Sequence, residues 1–195
     1  MTRQTPEPIE HMSLNASNRL ADELARYYAE GRITGDLPYQ RGSVWTYDQR
    51  VALIKSWLSG TPIPAVVIND RTSTVWEDGH GPSGRKARWA LIDGKQRLET
   101  AVAWFTGDLP VPASWFPPDR IAVTEDTEDG PYVRFTGLTE TGQRLFENKA
   151  LLPTATASVA SVEAEAEIYQ RVNGGGTPQT DADMARAAAV ATREG

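Results

Sequence analysis

The sequence predicts an α+β domain, a small and partly open mixed sheet flanked by helices. Three observations lead there. Several segments repeat their apolar residues with the 3.6-residue period of a helix, and others are short apolar runs of strand length bounded by Gly or Pro. The two kinds are intermingled along the chain. No internal repeat is evident, which removes solenoid and propeller architectures.

Each element has a local reason. Residues 1–13 are polar with two prolines and read as a loose arm ahead of a single domain over 14–195. A first helix starts near Ser17, because Leu20, Leu24, Tyr27 and Tyr28 share one face, and Gly31 is placed to end it. Leu37 to Val44 reads as extended. Thr46 with Gln49 makes a capping box for a helix whose apolar face is Val51, Ile54 and Leu58, stopped at Gly60. Thr61-Pro62-Ile63-Pro64 is a rigid connector into a strand at Ala65 to Ile68. Val75 to Arg88, rich in glycine, reads as a hairpin-like excursion before a strand at Trp89 to Ile92 and a helix at Leu98 to Phe105 closed by Gly107. Four prolines make residues 108–118 irregular. Ile121 to Thr124 and Tyr132 to Phe135 form a hairpin around Glu128-Asp129-Gly130. A helix follows over Glu140 to Asn148, an extended segment over Leu151 to Val159, and a helix capped by Ser161 that runs through Arg171. The run Asn173 to Thr177 breaks the chain, and Asp181 to Thr192 is an Ala-rich final helix.

Composition narrows the chemistry. The 195 residues carry a net charge of −6 and a pI of about 5.0, so nucleic acid would have to be held by a local basic patch rather than by bulk charge. There is no cysteine, which excludes disulfides, thiolate metal sites and cysteine nucleophiles. His11 and His80 are too few for a histidine metal cage. No apolar run reaches the ~20 residues a membrane helix needs. No signal peptide is visible, and a cytoplasmic protein of a bacterial cell or phage-infected host is expected.

The stretch Asp93-Gly94-Lys95-Gln96-Arg97 joins the Trp89 strand to the following helix. A strand–turn–helix junction gathers free backbone N–H groups and the positive end of a helix dipole. Gly94 permits the tight turn, Lys95 and Arg97 add positive charge, and Asp93 is free to hold Mg²⁺ or orient a water. The plain alternative is a helix start with Asp93 as N-cap and Arg97 in a surface ion pair. Gln40 and Arg41 read either as a second clamp on the same ligand or as a polar pair on an extended edge, with Trp45 buried in the core. Arg171, Asn173 and Gly174, Gly175 and Gly176 read as a backbone nest for phosphate, with Asn173 orienting a metal or water; the alternative is a helix C-cap. Arg85, Lys86 and Arg88 make either a basic finger for nucleic-acid phosphates or a solvated hairpin tip. Glu125 to Asp129 reads as a solvated turn. Glu163, Glu165 and Glu167 read as dipole support and solubility.

Three motifs together carry a resemblance. Tyr39-Gln40-Arg41-x-x-Val44-Trp45, then Ile92 to Leu98, then Ile168 to Thr177 resemble, in order and spacing, the N-terminal domain of the GmrSD-type modification-dependent restriction endonucleases, over roughly residues 14–190. That domain is related to the ParB/sulfiredoxin-like fold. The resemblance implies a nucleotide-binding, NTP-hydrolysing domain with an Asp-Gly-Gln-Gln-Arg signature, linked to DNA restriction, anti-restriction or phage DNA metabolism. It implies catalytic roles for Asp93, Arg97 and Asn173. Phosphate or nucleotide contacts would come from Gln40, Arg41, Gly94, Lys95, Gln96, Arg171 and Gly174 to Gly176, with Mg²⁺ on Asp93. Lys95 departs from the signature's first glutamine. The family's HNH nuclease half has no counterpart here, since two distant histidines do not form that centre, so nuclease or regulatory function is expected from a partner protein. Sulfiredoxin chemistry is excluded by the missing cysteine. Two other readings stand beside this one: a non-catalytic module that binds DNA or a partner and keeps the pocket, and a DNA nuclease or glycosylase built on the ParB-like fold.

Overall fold

Short apolar strands here become a sheet because helices cover both of its faces. The computed structural model describes residues 11–12, 14–40, 45–77 and 87–174. Its main sheet has five strands, β1 (Asn15–Leu20), β2 (Ile33–Thr34), β3 (Val66–Asp70), β4 (Trp89–Asp93) and, late in the chain, a strand at Leu151–Ala157, in the order β1, Leu151–Ala157, β3, β4, β2. β1 runs antiparallel to Leu151–Ala157, which is parallel to β3; β3 is antiparallel to β4, and β4 parallel to β2. The observed class is α+β with a mixed sheet, as the sequence predicts.

The pleat of β3 divides the core. Val66 and Ile68 face a large cluster built with α1 (Ala21–Ala29), α2 (Tyr47–Ser59) and α3 (Lys95–Phe105), while Val67 faces a second, smaller one with Ile92, Ala157 and Ile168. Buried on both faces, β3 and β4 read in sequence as apolar runs rather than alternating patterns. α2 has the predicted capping box, Thr46 accepting from the Gln49 amide and Gln49 from the Thr46 amide. Trp104 on α3 is fully buried in an aromatic box of Phe116, Phe135 and Phe146, with centroids 5.2–6.1 Å away. This box anchors a lobe made of a three-stranded sheet, β5 (Val111–Pro112), β6 (Glu125–Thr127) and β7 (Gly130–Val133), and of α4 (Glu140–Lys149). The late strand Leu151–Ala157 is β8, and α5 (Val162–Gly174) then crosses the second face of the main sheet.

Several sequence expectations need correction. Residues near Ser17 are strand, not helix: β1 is exposed and polar, and its extended form comes from pairing with β8, so α1 begins only at Ala21. Residues 108–118 include β5 and a 3₁₀ turn at Ala113–Trp115, because Val111 pairs with Val133. The hairpin strands lie at β6 and β7; Ile121 instead bridges Leu138. Leu37 to Gln40 forms a turn, and the edge strand is β2 just before it. α5 does not end at Arg171 but continues to Gly174, since Ile168, Tyr169 and their helix stay packed on the sheet. The proposed final helix at Asp181 to Thr192 lies outside the described residues. Among the described residues no helix is long and apolar enough to cross a membrane.

Glu165 also departs from expectation. It does not belong to a solvated helix face: its side chain is fully buried. Arg71 meets it end-on, Nε to Oε1 at 2.8 Å and a terminal nitrogen to Oε2 at 2.6 Å. Asn69 Nδ2 donates to Oε1 at 2.8 Å, and the Tyr39 hydroxyl to Oε2 at 3.2 Å. Every lone pair that matters is filled, which is the condition under which a buried ion pair is tolerated. Truncating one member strands the other charge in the interior. Glu165→Ala should therefore lower unfolding free energy by about 3–5 kcal/mol in urea denaturation. Arg71→Met combined with Glu165→Leu should cost clearly less than the sum of the single truncations.

Candidate functional site

The end of β4, the start of α3, the turn before α2 and the last turns of α5 meet around a partly open pocket of about 230 Å³. Gln40 and Trp45 form one wall, Ile92 to Arg97 the second, and Tyr169 with Asn173 the third. The walls are fastened to one another. Gln40 Nε2 donates to the backbone oxygens of Leu91 and, at 3.0 Å, of Ile92. The Trp45 amide donates to Gln96 Oε1 at 3.0 Å. The Tyr39 and Tyr169 rings lie 5.5 Å apart, and Ile168 packs on Ile92. All three sequence motifs thus contribute to one concavity.

The second wall has the character of an anion site. Gly94, not Asp93, is the N-cap of α3, at φ 96° and with no side-chain cap. Alone among the described α-helices, α3 has no acidic residue in its first turn, whereas the other four described have Asp22 and Glu23, Asp48, Glu140, and Glu163 with Glu165. Among the described residues no side chain caps this helix start, and Lys95, with no ion-pair partner among them, stands beside it. Asp93 has one oxygen engaged within the protein: it accepts from Arg97 at 2.7 Å, and the same Arg97 nitrogen donates to the Ala65 oxygen at 3.0 Å. Arg97 therefore holds the strand end and orients Asp93, with its outer nitrogen already committed.

Other candidates fall in different places. Asn173 lines the pocket from inside α5, its Nδ2 spent on the Tyr169 oxygen at 3.0 Å. Arg171 points away and pairs with Glu167 on the exposed face, so it is not brought to the pocket. Gly174 is helical and is the last described residue, and Gly175 and Gly176 lie outside the described residues, as do Arg41, Arg85 and Lys86. Arg88 lies 5.9 Å from the Trp89 ring and is not a pocket residue. Glu125 pairs with Arg134 at the exposed edge of β6 rather than in a free turn. Gln40 contributes an amide whose nitrogen is already used, leaving only an acceptor, which is unsuited to phosphate.

Sequence reasoning missed Arg71, Asn69 and Glu165, which hold α5 and Tyr39 in place from below the pocket. A signal existed: Glu165 shares a helical face with Ile168 and Tyr169 at i+3 and i+4. It also missed Tyr169 and Trp45 as pocket walls. Burial, and then the Glu165 carboxylate, push the Tyr39 hydroxyl above its ordinary pKa, so it stays a proton donor to Glu165.

Gly94 is the tightest constraint on this geometry. A Cβ there would lie 2.5 Å from Val66 Cγ1, in a left-handed backbone conformation. Gly60, at φ 70°, has open space around the same added atom. Gly94→Ala should cost about 2–5 kcal/mol by urea denaturation, from overpacking plus backbone strain, whereas Gly60→Ala should cost only about 1 kcal/mol.

No curated protein and no solved structure gives a match to the chain. A family model described as "GmrSD restriction endonuclease, N-terminal domain" matches residues 28–190, a span that holds all three walls of the pocket. The chain belongs to the family of GmrSD restriction endonuclease N-terminal domains.

Proposed function

We propose that this domain binds a nucleotide by its phosphates at the start of α3, within a restriction endonuclease system. The observation that carries the reading is the convergence of three separate motifs on a pocket whose floor is an uncapped helix N-terminus beside Lys95. First-turn amides and a lysine ammonium are the standard means of holding a phosphate. A pocket of about 230 Å³ suits a phosphate chain or a phosphate with its sugar better than a wholly buried nucleotide.

Hydrolysis is the further step of this reading. Among the described residues no group of three His, Cys, Asp or Glu side chains could cage a metal. The oxygens of Asp93 and Asn173 fit a Mg²⁺ that arrives on the nucleotide, since that ion commonly takes only one or two carboxylates plus substrate phosphates. When bound, Mg²⁺ would neutralise phosphate charge. Asp93, held by Arg97, would orient the attacking water or that ion, and Lys95 would stabilise negative charge developing on the phosphoryl oxygens.

A second reading, binding without turnover, draws support from the same geometry. Arg97 is committed to Asp93 and Ala65, and Lys95 stands where the family signature has glutamine, so the free groups favour grip over chemistry. One titration separates the two. With NTP and Mg²⁺, with and without DNA, Lys95→Ala should weaken affinity about tenfold under either reading. Loss of turnover in Asp93→Asn, with binding retained, supports the hydrolase. Binding without measurable turnover in the unaltered protein supports the module, and absence of both in calorimetry and phosphate release defeats the nucleotide proposal.

A further inference from the structure

Two buried polar atoms belonging to pocket residues make no hydrogen bond among the described residues: Gln40 Oε1 and Arg97 Nε. They have opposite needs, the first for a donor and the second for an acceptor. The orientation of the Gln40 amide is not free. Its nitrogen faces two backbone carbonyls, Leu91 and Ile92, and a flip would set oxygen against both. Those carbonyls belong to β4, an interior strand of the sheet whose Leu91 and Ile92 are fully buried, so they have no room to turn. The Gln40 oxygen is therefore a fixed acceptor that lacks a donor, an arrangement rare in native interiors and one that calls for a ligand group. Trp45 and Tyr169 stand with it on the pocket walls and give it flat apolar surface.

We infer that Gln40 is the residue that distinguishes a nucleoside phosphate from a bare phosphate chain, its Oε1 accepting a hydrogen bond from an N–H or O–H of the nucleoside. The inference rests on the phosphate-binding reading above and adds a polarity to the pocket. The α3 end takes the anion; the Gln40 end repels oxygen anions and takes a donor. The donor comes from one of two sources, an amino or imino group of the base or a hydroxyl of the sugar. A site built to pair a polar group discriminates strongly against ligands that lack it, because the protein atom is then left unpaired.

Calorimetric titration of the full chain tests this with the ligand as the variable, so that no change to the fold is needed. The probes are Mg²⁺ tripolyphosphate, ATP and GTP, the ATP analogue without its 6-amino group, inosine triphosphate, and the 2′- and 3′-deoxy nucleotides. The expected result is that at least one nucleotide binds about tenfold or more tighter than tripolyphosphate, and that removing a single donor abolishes this preference. An amino deletion assigns the contact to the base and a hydroxyl deletion to the sugar. Gln40→Met should erase that same preference. Equal affinity for nucleotides and tripolyphosphate overturns the role of Gln40 and leaves phosphate binding standing. So does a preference that survives every donor deletion and is unchanged in Gln40→Met. If no probe binds at all, the phosphate reading and this inference fall together.

Discussion

The Glu165 carboxylate is buried between Arg71, Asn69 and Tyr39, and through these three partners it joins parts of the chain nearly a hundred residues apart or more. Asn69 lies near the end of β3, Arg71 directly follows that strand, Tyr39 precedes the Gln40 wall, and Glu165 itself lies one turn before Tyr169 on α5. Burying a charge pair is costly, so the arrangement is stable only with all its hydrogen bonds in place. That requirement makes it directional. Hydrophobic contacts among Val67, Ile92, Ala157 and Ile168 would tolerate a sliding helix, but a bidentate Arg–carboxylate contact tolerates little displacement. The pocket walls inherit their spacing from this point.

Above that anchor the site divides its labour. Gln40, Gln96 and Arg97 spend most of their hydrogen-bonding capacity on the protein: on the β4 carbonyls, on the Trp45 amide, and on Asp93 with Ala65. Lys95 and the remaining oxygens of Asp93 and Asn173 are in the opposite situation, with no such commitment among the described residues. Residues of one short motif therefore divide into those that fasten the walls and those left unspent. Lys95, the departure from the family's pattern, falls among the unspent. Added positive charge at a helix N-terminus strengthens anion binding.

Much of this was legible in the sequence where the local signal and the tertiary outcome agree. The α2 capping box, the apolar runs of β3 and β4, the α4 helix and the β8 segment all follow from nearest-neighbour chemistry. The meeting of the three motifs was also legible, through their resemblance to one family. What was not legible depended on partners distant in the chain. β1 is polar and exposed, with nothing in its own residues to mark a strand apart from the register it makes with β8. Glu165 looks like its solvated neighbours Glu163 and Glu167 until Arg71 is placed opposite it. Asn173 and Gly174 carry the composition of a helix stop, yet packing of Ile168 and Tyr169 on the sheet carries the helix through them.

The central claim is that the three walls act as one binding site. Amide NMR of the isotopically labelled chain, titrated with Mg²⁺ and a non-hydrolysable triphosphate nucleotide, tests it most directly. The account predicts that resonances of Gln40, of Lys95 to Arg97 and of Tyr169 to Asn173 shift together on a single isotherm with one Kd, while the Trp104 aromatic box stays unmoved. Shifts confined to the start of α3, or walls titrating with separate affinities, would contradict it.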